Sequence, residues 1–309
     1  MLTIQADQLG QLAAQAIDAS VDGTVLGEII AAFPNSFYLR TYEDQLLFFT
    51  SRTLPSPITV NLGASENFAN NIRPHEKLRC QNGKLFTEKI SIDLTQVSYH
   101  PTLHHSPNGS PDFSSLLEAS EVLSTILSVI DTKGSALDAT LCPIHDSITD
   151  FVRTTLNLRT RDTRQEFADG ALKIAGLGMG FTPSGDDLLL GFLLAYNSLA
   201  HNVNRAPIHL ELDHLVKRTS WISAKLLDYA QRSLIDEQMQ EVVDSISNNG
   251  RDAVLAVETL IPRGHTSGVD IAAGIVLAVS VICDVALEQE RTEHVAMRLG
   301  VPVEAPLPV

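Results

Sequence analysis

The sequence predicts an α+β protein: a small antiparallel β-rich amino-terminal part, then a mainly helical carboxy-terminal part built on a pseudo-symmetric pair of buried helices. Three observations predict it. Between residues 20 and 95, short β-branched and aromatic runs alternate with turn residues; beyond about residue 110, apolar residues recur at helical spacing. Two glycine-rich motifs of matching spacing each precede a long apolar run. The expected domains are 1–110, β-rich, and 111–309, helical and carrying both motifs.

In chain order, Asp7 to Asp18 reads as a short cover helix, with Leu9, Leu12, Ala13, Ala16 and Ile17 near one face. Ser36 to Thr41, Gln45 to Thr50 and Ile58 to Leu62 read as strands, parted by Glu43-Asp44 and Pro55-Ser56-Pro57. Lys77 to Cys80 and Lys84 to Thr87 form a hairpin about Asn82-Gly83, a pair that accepts the positive φ of a tight turn. Ser91 to Leu94 adds a strand, so residues 20–95 suggest a small sheet or open barrel.

His100 to Asp112 reads as a linker, with Pro101, Pro107, Pro111, Asn108 and Gly109. His100, His104 and His105 would share a metal only on a helix, which those prolines oppose. Ser115 with Glu118, and Thr163 with Glu166, are capping boxes for the next helices. Leu212 to Ala230 reads as one long amphipathic helix, with Thr219 and Ser223 on its apolar side as small residues for close packing. Met239 to Ile246, closed by Asn248-Asn249-Gly250, and Ala253 to Ile261 complete the series.

Polar chemistry concentrates in Gly176-Leu177-Gly178-Met179-Gly180-Phe181-Thr182-Pro183-Ser184-Gly185-Asp186-Asp187, which enters the apolar run Leu188 to Tyr196. The first turn of a helix leaves N–H groups unpaired and carries roughly half a positive charge, so it suits anions. Ser184 as N-cap with Asp187 accounts for a capped helix, but not for Gly178, Gly180 and Gly185, which suggest a close approach by a ligand or another backbone. Gly264-His265-Thr266-Ser267-Gly268-Val269-Asp270 repeats the Ser-Gly-x-Asp pattern before Ile271 to Cys283. Gly191 and Gly274 follow at the same spacing, where missing side chains let two helices cross closely. Two helix N-termini facing one pocket would suit a substrate, or a substrate pair, with two anionic groups. A helix stands before the glycines, and the pattern is neither Gly-x-Gly-x-x-Gly nor followed by Lys-Ser, which opposes nucleotide binding.

Composition narrows the classes. Lys+Arg 22 against Asp+Glu 37 leaves −15, unsuited to nucleic acid or anionic membrane. Cys80, Cys142 and Cys283 stand far apart, as buried free thiols in a reducing compartment would. The start, Met1 to Asp7, has no signal-peptide pattern, and the run Ile271 to Cys283 is too short for a bilayer, so a cytoplasmic protein is expected.

The two motifs resemble the family of the AllH subunit of oxamate carbamoyltransferase, of anaerobic allantoin breakdown and purine catabolism: Gly176 to Asp187 with Gly191, and Gly264 to Asp270. Met179, Thr266 and Val269 depart from its proline, serine and tryptophan, and the resemblance covers mainly residues 150–285. It implies a transferase subunit acting on carbamoyl phosphate and oxamate or a related small acid, within a multisubunit complex. Substrate binding then falls to Gly178, Gly180, Thr182, Ser184, Gly185, Asp187, Gly264, Thr266, Ser267, Gly268 and Asp270. Catalysis falls to His265, as donor or base, and to Asp186, taken as the freer of two adjacent carboxylates and so also the candidate Mg²⁺ ligand. No other cofactor is expected, and Arg263 is the one arginine beside a motif. A Mg²⁺-dependent phosphate-handling enzyme and a non-catalytic anion-binding or scaffold subunit are the alternatives.

Overall fold

The computed structural model describes residues 1–63, 67–100, 111–159, 163–248 and 251–302. His104, His105 and the Asn249-Gly250 stop lie outside them. The chain divides into two compact units, the first containing all the strands and the returning segment Leu234–Glu237, the second most of the longer helices.

The first unit runs β1 (Leu2–Leu9), α1 (Gln11–Asp18), β2 (Val25–Phe33), β3 (Ser36–Thr41), β4 (Leu46–Thr50) and β5 (Thr59–Leu62). It continues with α2 (Phe68–Asn71), β6 (Lys77–Gln81), β7 (Lys84–Phe86), β8 (Ile90–Asp93) and β9 (Ser98–Tyr99). The strand order β5-β4-β3-β2-β6-β7-β8-β1 returns to β5, so eight strands close a barrel, and β9 adds beside β1. This corrects the small antiparallel sheet expected from the sequence, because β4–β5, β1–β8 and β1–β9 are parallel and the ring is closed. Closure hinges on β1, which pairs through Leu2 to Gln5 with β8 and through Ala6 to Leu9 with β5. Its alternating Ile4 and Ala6 point into the core, a period-two pattern that the sequence reading missed by starting a helix at Asp7. The helix begins only after Gly10, where a Cβ would stand 1.9 Å from the Ser56 carbonyl oxygen.

Barrel closure leaves no exposed ladder edge between its eight strands and gathers one apolar interior. Phe37 and Phe49 are cross-strand partners with rings stacked at 4.4 Å, and Phe68 of α2 meets Phe37 edge-on at 5.6 Å. Ala13, Ala16 and Ile17 of α1 join the same core. At the expected hairpin, Asn82 and Gly83 both take positive φ, 50° and 70°.

The remaining helices are α3 (Phe113–Ser128), α4 (Cys142–Asn157), α5 (Arg164–Ile174), α6 (Ser184–Leu199) and α7 (Leu212–Leu215). After them come α8 (Trp221–Ala230), α9 (Glu237–Asn248), α10 (Arg251–Leu260), α11 (Ser267–Leu287) and α12 (Thr292–Arg298). Asp112, not Ser115, caps α3, its side chain accepting the Ser114 N–H at 3.1 Å while Ser115 donates its hydroxyl to it at 2.8 Å. The expected long helix from Leu212 to Ala230 is two, because the Ser220 hydroxyl caps a new start by accepting the Ser223 N–H.

α6 and α11 form the core of this unit, with α3, α10 and α12 against α11 and α8 against α6. Where they cross, a Cβ on Gly191 would lie 2.0 Å from the Ile271 carbonyl oxygen, and one on Gly274 would lie 2.1 Å from that of Leu188. Phe167, Phe192 and Tyr196 stack in sequence, and Phe151 meets Phe167 and Phe192 edge-on. The two helices run 16 and 21 residues, and at their crossing Gly191 and Gly274 each face the other helix's backbone. α11 is long and apolar enough to cross a membrane, with a mean hydropathy of 2.2, but 89% of that window is buried inside the protein, as in a core helix. At its far end Asp284 is sealed in, accepting from the N–H groups of Arg291 (2.8 Å) and Thr292 (2.9 Å), the Thr292 hydroxyl (2.6 Å) and Arg159 (3.4 Å).

Candidate functional site

The glycine loop leaves α5 at Ile174 and folds back within ten residues to start α6. Three positive-φ glycines make that reversal, Gly176 (81°), Gly178 (113°) and Gly180 (110°). At Gly178 a Cβ would also stand 2.6 Å from the Ser184 nitrogen. Pro183 takes the N-cap position and Ser184 is the first helical residue, a correction to the expected Ser184 cap. The Ser184 hydroxyl instead donates to the Gly134 carbonyl at 3.2 Å, in a turn between α3 and α4.

Gly185 and Gly268 serve helix packing. A Cβ on Gly185 would lie 2.1 Å from the Ile174 carbonyl oxygen, and one on Gly268 2.1 Å from that of Leu260. Their N–H groups are engaged, Gly185 with Leu177 (2.8 Å) and Gly268 with Arg263 (3.1 Å), so neither is an open donor as the sequence suggested. The N–H groups of Asp187 and Asp270 likewise bond to Pro183 and Thr266. By contrast, the N–H groups of Gly178, Gly180, Ser184 and Ser267 make no hydrogen bond among the described residues.

The two motifs meet through side chains. Thr182 donates to Asp187 at 3.1 Å, and its hydroxyl lies 3.3 Å from that of Ser267, eighty-five residues away. Asp270 accepts the Ala136 N–H at 2.8 Å, and its second oxygen has no hydrogen-bond partner among the described residues. The two carboxyls influence each other. Burial pushes Asp187 up to about 7, against the hydrogen bonds of Ser267 and Thr182 and the charge of Arg263. Burial likewise pushes Asp270 up to about 8, the Ala136 N–H offsetting part of the shift and the Asp187 charge adding to it.

Asp186 is the reverse of the free carboxylate expected. It accepts the Gly176 N–H at 2.8 Å and a short hydrogen bond from the Thr219 hydroxyl, so both oxygens are occupied in holding the loop to the segment before α8. Burial raises its pKa, with Thr219 and Gly176 opposing. Among the described residues no group of three or more His, Cys, Asp or Glu side chains is placed to hold a metal. His265 and Gly264 are exposed, Thr266 is half-buried as the N-cap of α11, and Gly264 takes φ 64° beside Ser267. Met179 and Phe181 stand exposed on the loop.

Sequence reasoning missed three contributors: Thr219, Gly134 and Ala136. Thr219 was assigned to a helix interior, and the turn at 133–136 carries only the signal of Lys133-Gly134, common to many surface turns.

A family model described as oxamate carbamoyltransferase subunit AllH matches residues 174–279, about a third of the chain, from the last residue of α5 into α11. Both motifs lie inside that range, and the family is the one they resemble. No solved structure matches the chain.

Proposed function

We propose that this chain is a subunit of a carbamoyltransferase that uses carbamoyl phosphate and oxamate or a related small acid, and that it holds an anionic group of these substrates where the two motifs join. The observation that carries the proposal is the match to the AllH family across both motifs, which meet at the Thr182 and Ser267 hydroxyls. The N–H groups of Gly178, Gly180, Ser184 and Ser267, unpaired among the described residues, supply donors beside two helix starts, as anion binding requires. Thr182, Thr266 and Ser267 add hydroxyls, and Arg263 adds positive charge that reaches Asp187. Asp186 is then a positioning residue that fixes the loop through Gly176 and Thr219. Exposed His265 stands at the rim, where it can donate to a carbonyl oxygen or accept a proton. With one arginine at the site, further cationic groups come from partner subunits in this reading.

Thermal unfolding in the presence of oxamate, carbamoyl phosphate and phosphate tests it, because a ligand that binds the folded chain raises its stability. Stabilisation by oxamate or carbamoyl phosphate that Thr182→Val and Ser267→Ala both weaken is the expected result. Failure of every one of these anions to stabilise the chain would sink the proposal. Gly185→Val is unsuited as a control, since its side chain would strike the Ile174 carbonyl whatever binds.

A further inference from the structure

Buried carboxyls in an anion site pose a contradiction, since a charged one repels what its neighbours attract. Asp270 offers a resolution. It is fully buried at the fourth residue of α11, and its Oδ1 accepts the Ala136 N–H at 2.8 Å. Its Oδ2 has no hydrogen-bond partner among the described residues. The hydroxyls of Ser184, which gives its hydrogen to Gly134, and of Thr266 lie near enough to favour its charged form, but neither meets hydrogen-bond geometry at Oδ2. The charged group that acts on it is Asp187 of α6, a like charge, while Arg263 acts on Asp187, and Asp186 stands next along α6. Ionised, Asp270 would be a buried anion next to another carboxylate with one oxygen wholly unsolvated, an arrangement proteins avoid by neutralising the group. As a neutral acid it carries its proton on Oδ2, because Oδ1 already accepts an N–H. The unpartnered acceptor thereby becomes an unpartnered donor.

We propose that Asp270 is held as a neutral carboxylic acid whose Oδ2–H donates to an acceptor oxygen of the small anion, a carboxylate or an acyl phosphate, taken up where the motifs join. This rests on the anion-binding reading above and assigns Asp270 its role there. This acid then adds a donor to the N–H groups of Gly178, Gly180, Ser184 and Ser267, while the hydroxyls of Thr182, Ser184 and Ser267 give their hydrogens to Asp187 and Gly134. The upward displacement of the carboxyl to about 8 accords with it. Neutral carboxylic acids kept protonated by burial act in this way as hydrogen-bond donors to oxyanions.

The test is calorimetric binding of oxamate to the full chain from about pH 6.5 to about pH 9, a range in which oxamate itself does not titrate, for wild type, Asp270→Asn and Asp270→Ala. Asparagine keeps the acceptor for Ala136 and puts a permanent N–H donor in place of Oδ2. Asp270→Asn is expected to bind as wild type does near neutrality, and toward the alkaline end wild-type affinity is expected to fall about tenfold relative to that of Asp270→Asn, in which only Asp187 still titrates. Asp270→Ala binds about tenfold more weakly near neutrality. Urea unfolding of each variant confirms that it folds. A wild-type profile that runs level with that of Asp270→Asn, or loss of binding in Asp270→Asn as complete as in Asp270→Ala, overturns the assignment of Asp270 and leaves the anion site standing. Absence of oxamate binding by the wild type at every pH removes the anion site itself, and this assignment with it.

Discussion

Gly191 on α6 faces the backbone of Ile271 on α11 so closely that a methyl group there would stand 2.0 Å from the carbonyl oxygen. Gly274 stands in the converse relation to Leu188 and Phe192. Backbone, rather than a side chain tip, occupies the space, so the helices have to separate to admit a Cβ. Gly191→Ala or Gly274→Ala is expected to destabilise the chain by about 3 kcal/mol or more, the upper end of overpacking effects. Urea unfolding measures it; a loss below about 1 kcal/mol would mean that the crossing adjusts freely.

Asp186 ties the glycine loop to Thr219. Removing the carboxyl in Asp186→Ala leaves the half-buried Gly176 N–H without its acceptor and is expected to destabilise by about 1–3 kcal/mol. Thr219→Val, which removes one donor and leaves the other, should have a smaller effect. Chemical unfolding of both variants decides the order, and equal effects would argue against Asp186 as the hub.

Stability should depend on pH through Asp187 and Asp270. Both carboxyls stand above their ordinary value when folded, at about 7 and about 8. The folded chain therefore holds more protons than the unfolded chain between the ordinary carboxylate range and these values. This contribution is complete below the unfolded pKa and is lost as pH rises through the folded one, with a slope of up to about 1.4 kcal/mol per pH unit for one group. The stability of wild type minus that of Asp270→Asn is expected to decline from about pH 5 to about pH 8 and then level off. A difference that is constant or rises across this window would show Asp270 ionised in the folded chain.

The junction of α11 with α12 rests on Asp284, whose side chain is fully shielded and whose oxygens receive two N–H groups, a hydroxyl and a guanidinium. Asp284→Ala is expected to destabilise by about 3–5 kcal/mol, because the half-buried Arg159 loses a partner, and the buried Thr292 N–H and the Arg291 N–H lose their acceptor. Arg159 retains Glu293 at 3.1 Å, so Arg159→Met should be milder than Asp284→Ala. Thermal unfolding separates the two.

Local chemistry made part of this architecture legible. The β-branched and aromatic runs marked β3, β4 and β5 closely, and Asn82-Gly83 marked the β6–β7 turn, because strand and hairpin signals act within a few residues. β1 and β2 escaped because β1 contains Gln5, Asp7 and Gln8 and runs into a helix, while β2 is apolar without clear alternation. Parallel pairing and ring closure join residues up to ninety positions apart, which no local pattern encodes. At the site, spacing singled out the two motifs and the crossing glycines 191 and 274. It misjudged Asp186, because the partner that engages it, Thr219, arrives from a segment read as helix interior. For Gly185 it allowed a ligand or another backbone, since a glycine admits either equally well, and the Ile174 carbonyl fills that place.

The way β1 completes the barrel has a consequence for how the chain acquires its shape. Its two edges find their partners in Thr59–Leu62 and Ile90–Asp93, so β1 has to wait, ladder groups unpaired, while some eighty residues beyond it take form. Loop-closure entropy must be met before such remote pairings are rewarded, which places the docking of β1 late in folding. Until then β5 and β8 present open edges, and the interval before closure is when this unit is most exposed to pairing with a neighbouring chain.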